Sequence, residues 1–167
     1  YLLATAARHP DLAPVLQELA QRTGAARIAL VHGDVSPKNI LVGPQGPVLL
    51  DAECAWYGDP AFDLAFCLNH FLLKAAHHPR DAQALLGCWD AFLLAYWPHV
   101  SWEPQSGLEA RVATLLPGLT LARVDGKSPV EYLDEPQREA VRRAAVGLLQ
   151  EAPGTLERIA ARWAGEF

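Results

Sequence analysis

Two acids and one amide near the start of the chain are the residues best placed to do chemistry. Asp34 follows a short apolar run, Asn39 lies five residues further on, and Asp51 ends the next apolar run. A carboxylate such as that of Asp34 can orient an attacking hydroxyl group and accept its proton. Asn39 and Asp51 can offer oxygen ligands to Mg²⁺, which binds a few protein oxygens together with phosphate oxygens and water. This combination predicts transfer of a phosphoryl group to an alcohol.

The segment between Asn39 and Asp51 predicts a β-hairpin. Apolar runs at 40–42 and 47–50 flank a turn at 43–46 that is rich in Gly and Pro. Because a hairpin returns the chain to its starting edge, we expect Asp51 to lie beside Asn39 with Mg²⁺ between them. Phosphoryl transfer asks the protein mainly for positioning and for neutralisation of charge, and this arrangement would provide both.

Three sequence blocks, taken in order, resemble the aminoglycoside phosphotransferase and small-molecule kinase superfamily. They are similar to that family's catalytic loop, its metal-binding motif and the segment after it: His32-Gly33-Asp34 with Asn39, Asp51-Ala52-Glu53, and Gly58-Asp59-Pro60-Ala61-Phe62-Asp63-Leu64-Ala65. The resemblance is densest over residues 28–68. It is looser beyond them, where residues 123–132 also fit.

The resemblance implies a protein-kinase-like carboxyl-terminal lobe, an α+β and predominantly helical fold in which a small β-hairpin carries Asp51. It implies that Asp34 is catalytic and that Asn39 and Asp51 bind Mg²⁺. The phosphoryl donor would be ATP or GTP, and the acceptor a hydroxyl group of a small molecule such as an aminoglycoside, which suggests a role in antibiotic resistance. The superfamily also accepts macrolides, choline-like alcohols, homoserine and sugars, and the sequence does not choose among them.

Five neighbouring residues have candidate supporting roles. Glu53 would approach a second metal or pair with a basic side chain from another part of the protein. His32 has a side chain that titrates near neutrality, but it is better suited to supporting the loop. Asp63 is expected to point back and accept N–H bonds from the catalytic loop, the alternative being an ordinary carboxylate at a helix start. Ser36 and Lys38 replace the His and Gly that many family members carry, so each is a candidate phosphate contact, and Lys38 is otherwise a solvated loop lysine.

The chain predicts one domain over residues 1–167. It contains no Met, opens on an apolar run, and has no glycine-rich phosphate-binding loop. We therefore expect that the amino-terminal lobe, which holds the nucleotide in this family, lies outside this chain and is its partner within the same polypeptide. Without that lobe, an exposed apolar surface would favour a homodimer. The alternative to an enzyme is a non-catalytic fragment that acts as a binding or dimerisation module, whereas a hydrolase is disfavoured because no G-x-S-x-G motif occurs.

Composition limits the classes of partner. The formal net charge of −5 argues against nucleic-acid binding and is compatible with a cationic substrate. No apolar run is long enough to span a membrane, and no signal peptide is visible, so a cytoplasmic location is expected. Three cysteines lie at spacings that fit no metal site, and their apolar surroundings predict buried thiols.

The rest of the pattern predicts helices. A central helix, capped by Asp59 and apolar on nearly every side from Phe62 to Ala76, is the clearest of them. The turns that separate the elements are placed at Trp56–Gly58 and at residues 101–107. The other helices are expected from about residue 12 to Gly24, over 81–96, over 108–116 with a resumption to Val124 after Pro117-Gly118, from Asp134, and from Thr155.

Overall fold

Helices form most of the chain, and four short β-strands lie between the second and third of them. The computed structural model describes residues 1–167. Its strands are β1 (Ala29–Val31), β2 (Ile40–Gly43), β3 (Gly46–Leu49) and β4 (Trp56–Gly58). Its helices are α1 (Leu2–Ala6), α2 (Ala13–Ala25), α3 (Pro60–His77), α4 (Ala82–Tyr96), α5 (Gln105–Asp125), α6 (Glu135–Glu151) and α7 (Leu156–Ala164). The predominantly helical α+β fold expected from the sequence is confirmed.

Helix α3 runs through the centre of the molecule. Asp59 caps it by accepting a hydrogen bond from the Ala61 N–H at 3.0 Å, and Pro60 occupies its first turn, where a missing N–H costs nothing. Its apolar side chains are buried on most sides, and it packs against α4 and α5. The central apolar helix predicted from the sequence is therefore present, and it gives the site a rigid base.

The four strands form two small antiparallel sheets, β1 with β4 and β2 with β3, and the loops between the strands lie after α2. In the hairpin, Ile40 of β2 lies opposite Leu49 of β3, so the chain returns as expected. The segment Trp56–Gly58, predicted as a turn, is instead strand β4 and pairs with β1. A three-residue strand carries too little periodicity to be found in the sequence, and here the pairing with β1 decides its conformation.

Helix α5 is continuous through Pro117, although the sequence predicted a break there and a loop up to residue 107. Proline removes one intrahelical hydrogen bond, but this turn is buried, and packing outweighs that loss. The neighbouring Gly118 has a packing reason, because a Cβ there would lie 3.0 Å from Leu2 and 3.4 Å from Leu16. The absence of a side chain lets α1 and α2 rest directly on α5.

Ion pairs fix both ends of α5. At the start, Arg111 donates to the buried Asp59 carboxylate at 3.0 to 3.2 Å and to Glu103. At the end, Arg142 and His9 both donate to Asp125. Burial raises the pKa of Asp125, but the hydrogen bonds from Arg142 and His9 outweigh it and leave that pKa below its usual value.

Two helix caps expected from the sequence are present, and one of the three cysteines is buried as expected. The capping box of Asp134 and Gln137 is present, and Thr155 caps α7. Burial of the thiols was predicted correctly only for Cys67, because Cys54 and Cys88 are exposed. None of the helices combines the length and the apolarity needed to cross a lipid bilayer.

Candidate active site

The loop that carries Asp34 is anchored on α3 through Asp63. The Asp63 carboxylate accepts hydrogen bonds from the His32 N–H at 2.6 Å and from the Gly33 N–H at 2.8 Å. Asp63 lies in the first turn of α3, so its backbone is held by the core. These are the bonds expected of Asp63 from the sequence, and they fix the two residues that immediately precede Asp34.

Gly33 lets the loop pass close to the chain that follows Asp51. Its φ is +86°, a value that L side chains rarely adopt. A Cβ at this position would lie 2.7 Å from the Cys54 carbonyl oxygen and 2.9 Å from the Trp56 ring. Both the backbone conformation and the space therefore require glycine, which brings the loop of Asp34 against the segment after the hairpin.

Asp34 and Asn39 are in direct contact. The Asn39 side-chain amide donates to the Asp34 carboxylate at 2.8 Å and to the Asp34 carbonyl oxygen at 3.0 Å. Since both amide hydrogens are engaged, the Oδ1 of Asn39 is turned away from Asp34, and it makes no hydrogen bond within the chain. Within the Asp34 carboxylate, Oδ2 accepts the bond from Asn39 and lies 3.3 Å from the Lys38 Nζ, whereas Oδ1 accepts no hydrogen bond within the chain. One oxygen of each side chain is thus left for a ligand.

His32 and Leu50 connect this pair to Asp51. The Leu50 N–H donates to the Asn39 carbonyl oxygen at 2.8 Å, so Leu50, the residue before Asp51, lies opposite Asn39 across the hairpin. A ring nitrogen of His32, Nε2, lies 2.9 Å from the Leu50 carbonyl oxygen, and Nδ1 lies 3.3 Å from the Asp34 N–H. Because a carbonyl can only accept and an N–H can only donate, the ring carries its proton on Nε2. Both nitrogens of His32 are therefore engaged in holding the loop.

Asp51 has an unusual backbone. Its φ and ψ are 64° and 49°, in the left-handed region, where Asp and Asn are the non-glycine residues tolerated best. Its side chain is exposed and makes no hydrogen bond within the chain. Glu53 is also exposed, in a single helical turn over Ala52–Cys54, and its side chain makes no hydrogen bond or ion pair within the chain. No cluster of three or more His, Cys, Asp or Glu side chains suitable for a metal ion occurs.

Ser36 and Lys38 face different surroundings. The Lys38 Nζ lies 3.3 Å from the Asp34 carboxylate, and the lysine side chain is 71% exposed. Ser36 is only 1% exposed, and its hydroxyl has no hydrogen-bond partner. Lys38 therefore contributes positive charge beside Asp34, whereas Ser36 faces an adjoining cavity.

The sequence did not identify the residues on the far side of that cavity. His70 and Lys74 reach it from α3, and Arg123 and Tyr132 reach it from the end of α5 and the segment after it. Their only sign in the sequence was the looser resemblance over residues 123–132, which named no role for them. Burial and the nearby cations Arg123, Lys74 and Lys38 lower the pKa of His70 to about 4, although Asp34 acts in the opposite direction.

Comparison with known proteins defines the class of protein to which the chain belongs. Residues 2–101 match the family model of the phosphotransferase enzyme family, so the chain is a member of that family. The methylthioribose kinase of Geobacillus sp. (strain WCH70) is 28% identical to it over 96 residues, which is 53% of this chain and 24% of the relative. The chain thus spans about a quarter of the length of that curated relative. The resemblance found in the sequence is confirmed at the level of the superfamily.

Replacing Asp63 by Asn will loosen the loop. Asn keeps one acceptor but turns an NH₂ group toward a backbone N–H, so we expect a loss of about 1 to 3 kcal/mol in the free energy of unfolding. The His32 and Gly33 amides should exchange with solvent at least about tenfold faster, as measured by hydrogen exchange. The control is Asp81→Asn, since Asp81 is exposed and makes no side-chain cap. Unchanged exchange at His32 and Gly33 in Asp63→Asn would contradict the anchoring role.

Acid will destabilise the protein through His70. The pKa of its imidazole is about 4 in the folded chain, against an ordinary value of about 6.5. Between these values the unfolded state binds more protons, so the free energy of unfolding falls as pH drops from about 6.5 to about 4. We expect the stability of the wild type relative to His70→Gln to fall by on the order of 2 kcal/mol over this range, as measured by urea denaturation. Parallel stability curves for the two proteins would show that His70 is not the group responsible.

Proposed function

We propose that this chain is the catalytic and substrate-binding lobe of an ATP- or GTP-dependent phosphotransferase that phosphorylates a hydroxyl group of a small molecule. The observation that carries the proposal is the contact between Asp34 and Asn39, opposite the end of the hairpin that leads to Asp51, in a chain that belongs to the phosphotransferase enzyme family. Membership of the family supports a phosphotransferase. The identity of the donor, the acceptor and the site residues is part of the proposal.

Asp34 is the proposed catalytic residue. Its Oδ2 is held by Asn39, which leaves Oδ1 to take the proton of the substrate hydroxyl. The hydroxyl oxygen then forms a bond to the γ-phosphorus of the nucleotide, and the bond from that phosphorus to the β–γ bridging oxygen breaks, releasing the nucleoside diphosphate. The fixed orientation of Asp34 contributes by presenting the acceptor oxygen in one position.

Asn39 and Asp51 are the proposed ligands of Mg²⁺. The Oδ1 of Asn39 and the Asp51 carboxylate are hard oxygen donors that make no hydrogen bond within the chain, and one amide with one carboxylate fits the few protein ligands that Mg²⁺ takes. Magnesium bound there would neutralise charge on the phosphates of the donor. His32 and Asp63 would hold the loop in register with this pair, and Glu53 stays a candidate for a second metal.

The nucleotide-binding lobe is proposed to lie outside these residues, as in a protein-kinase-like fold. Several apolar side chains of the hairpin are exposed, among them Leu41, Val42 and Val48, and this surface is suited to cover by another part of the polypeptide. The same surface supports the second candidate, a non-catalytic module that dimerises through the hairpin. A cytoplasmic location stays a prediction.

Replacing Asp34 by Asn tests whether the protein is an enzyme. The experiment uses the longest polypeptide that the reading frame of this chain encodes. We expect kcat to fall by about 100-fold or more because the substrate hydroxyl loses its proton acceptor, with the KM for nucleotide changed by less than about threefold. The readout is nucleoside diphosphate release in a screen of small alcohols, including sugars. The control is Asp81→Asn, whose side chain is exposed and lies outside the site. Full turnover by Asp34→Asn would contradict the assignment of Asp34 as the catalytic residue.

Replacing Asp51 by Asn separates metal binding from folding. Asn tolerates the left-handed backbone as well as Asp does, so the melting temperature should stay within a few degrees of the wild type. Calorimetric titration with Mg²⁺ and ATP should show affinity reduced by about tenfold or more, because the carboxylate charge is lost. The matched control is Asp11→Asn, an exposed acid in another part of the chain. Equal affinity for all three proteins would remove Asp51 from the metal site and favour the non-catalytic module.

A further inference from the structure

The cavity that Ser36 lines adjoins the loop of Asp34. It has a volume of about 540 Å³ and is formed by residues 36–38, by α3, by the end of α5 and by the segment after α5. The side chains that give it its character are Ser36, Lys38, His70, Lys74, Arg123 and Tyr132. Lys38 lines this cavity and its Nζ lies 3.3 Å from the Asp34 carboxylate, so the cavity borders the proposed catalytic residue.

Buried polar atoms without partners are concentrated in this one cavity. Five such side-chain atoms occur in the protein, and four of them belong to residues that line it: Ser36 Oγ, His70 Nε2, Arg123 Nε and Tyr132 Oη. Each buried polar atom left without a hydrogen bond costs stability, so native proteins hold few of them. Four in a single cavity indicate a site that a hydrogen-bonding ligand completes.

The charge of the cavity identifies the kind of ligand. Lys38, Lys74 and Arg123 contribute three positive charges, and Glu131 is the one acid on its wall. His70 is uncharged near neutral pH, because burial and these cations lower its pKa to about 4. The excess of cations and N–H or O–H donors suits a group that carries negative charge and accepts several hydrogen bonds. An aminosugar, which is cationic, suits this cavity poorly.

The cavity wall is rigid before any ligand binds. The Val130 N–H donates to the Arg123 carbonyl oxygen at 2.8 Å, and the Arg123 guanidinium donates to the Ser128 carbonyl oxygen at 2.6 Å. From α6, Arg138 donates to the Val130 carbonyl oxygen at 2.8 Å. The Lys74 ammonium is held 3.9 Å from the centre of the Tyr132 ring. These contacts place the donors in advance, which reduces the cost of ordering them on binding.

We infer that this cavity binds an anionic group, a phosphate or a carboxylate, of the alcohol whose hydroxyl Asp34 would activate. The inference rests on the proposed function and narrows its substrate class to anionic alcohols, such as sugar phosphates or hydroxy acids. Lys74, Arg123, Ser36 and Tyr132 are assigned to the anionic group. Selectivity against neutral and cationic alcohols follows from the charge of the same residues.

Binding of simple anions tests the site in the 167-residue chain. Inorganic phosphate and acetate are titrated separately while the ring signals of His70 are followed by NMR, and we expect a bound anion to raise the pKa of His70. Lys74→Gln should weaken binding by about tenfold or more, whereas Lys127→Gln should not change it. Lys127 is the matched control because it is an exposed cation on the same segment that does not line the cavity. The stronger of the two anions identifies the group, and no binding of either, or equal weakening in both variants, would overturn the inference.

Turnover measurements on the longest polypeptide that the reading frame encodes distinguish failure of this inference from failure of the proposed function. Matched alcohols are compared, a neutral sugar with its phosphate monoester and a diol with the corresponding hydroxy acid. We expect Lys74→Gln to raise the ratio of the KM of the anionic member to that of the neutral member by about tenfold or more, and Lys127→Gln to change neither KM. If Asp34→Asn abolishes turnover but neutral and anionic members are used equally, the inference fails and the phosphotransferase stands. If Asp34→Asn retains turnover, the catalytic role of Asp34 fails. If the wild type turns over no alcohol, the phosphotransferase fails, and anion binding to the isolated chain then decides the inference.

Discussion

The carboxylate of Asp63 is the contact on which the geometry of the site depends. It accepts the N–H groups of His32 and Gly33, and so it joins a loop to the first turn of the most deeply buried helix. A loop by itself has many conformations of similar energy, whereas the start of α3 has one, fixed by the Asp59 cap and by packing against α5. Two hydrogen bonds to Asp63 therefore fix the loop, and with it Asp34, relative to the core. A loop residue acquires a defined orientation in this way.

From that anchor a short series of hydrogen bonds orders the remaining candidates. His32 reaches Leu50, Leu50 reaches Asn39, and Asn39 reaches Asp34. The hairpin closes the series, and Asp51 lies at its end in a left-handed conformation that a non-glycine residue adopts at some cost. Strain of this kind persists where the surroundings fix it on both sides, and here the hairpin and the Gly33 contact do so. The backbone on which each candidate ligand lies is therefore fixed, while the Oδ1 of Asn39 and the Asp51 carboxylate make no hydrogen bond within the chain.

The local charge around the cavity indicates the kind of ligand, whereas the net charge of the chain points to the opposite kind. The chain as a whole carries a formal charge of −5, which on its own is compatible with a cationic substrate. The cavity beside Asp34 has the opposite balance, because three cations from separate segments converge there with a single acid, Glu131. Other acids, such as Asp59 and Asp125, are in ion pairs elsewhere. Since electrostatic forces on a bound group come mostly from nearby charges, the local balance decides which ligand is favoured.

The sequence by itself determined the features that depend on residues close together along the chain. The spacing of Asp34 and Asn39, the hairpin that carries Asp51, the Asp59 cap and the capping box of Asp134 were all predictable, because each depends on residues within about ten positions of one another. The bonds that Asp63 accepts from the loop were expected from its position at a helix start, and the structure contains them. Only the tertiary structure decided that Trp56–Gly58 is a strand, that α5 continues through Pro117, and that Cys54 and Cys88 are exposed. It also decided the cavity, since Ser36, His70, Lys74, Arg123 and Tyr132 come from segments tens of residues apart. Their meeting depends on how α3 packs against α5, and a pattern read along one stretch of chain holds no record of that packing.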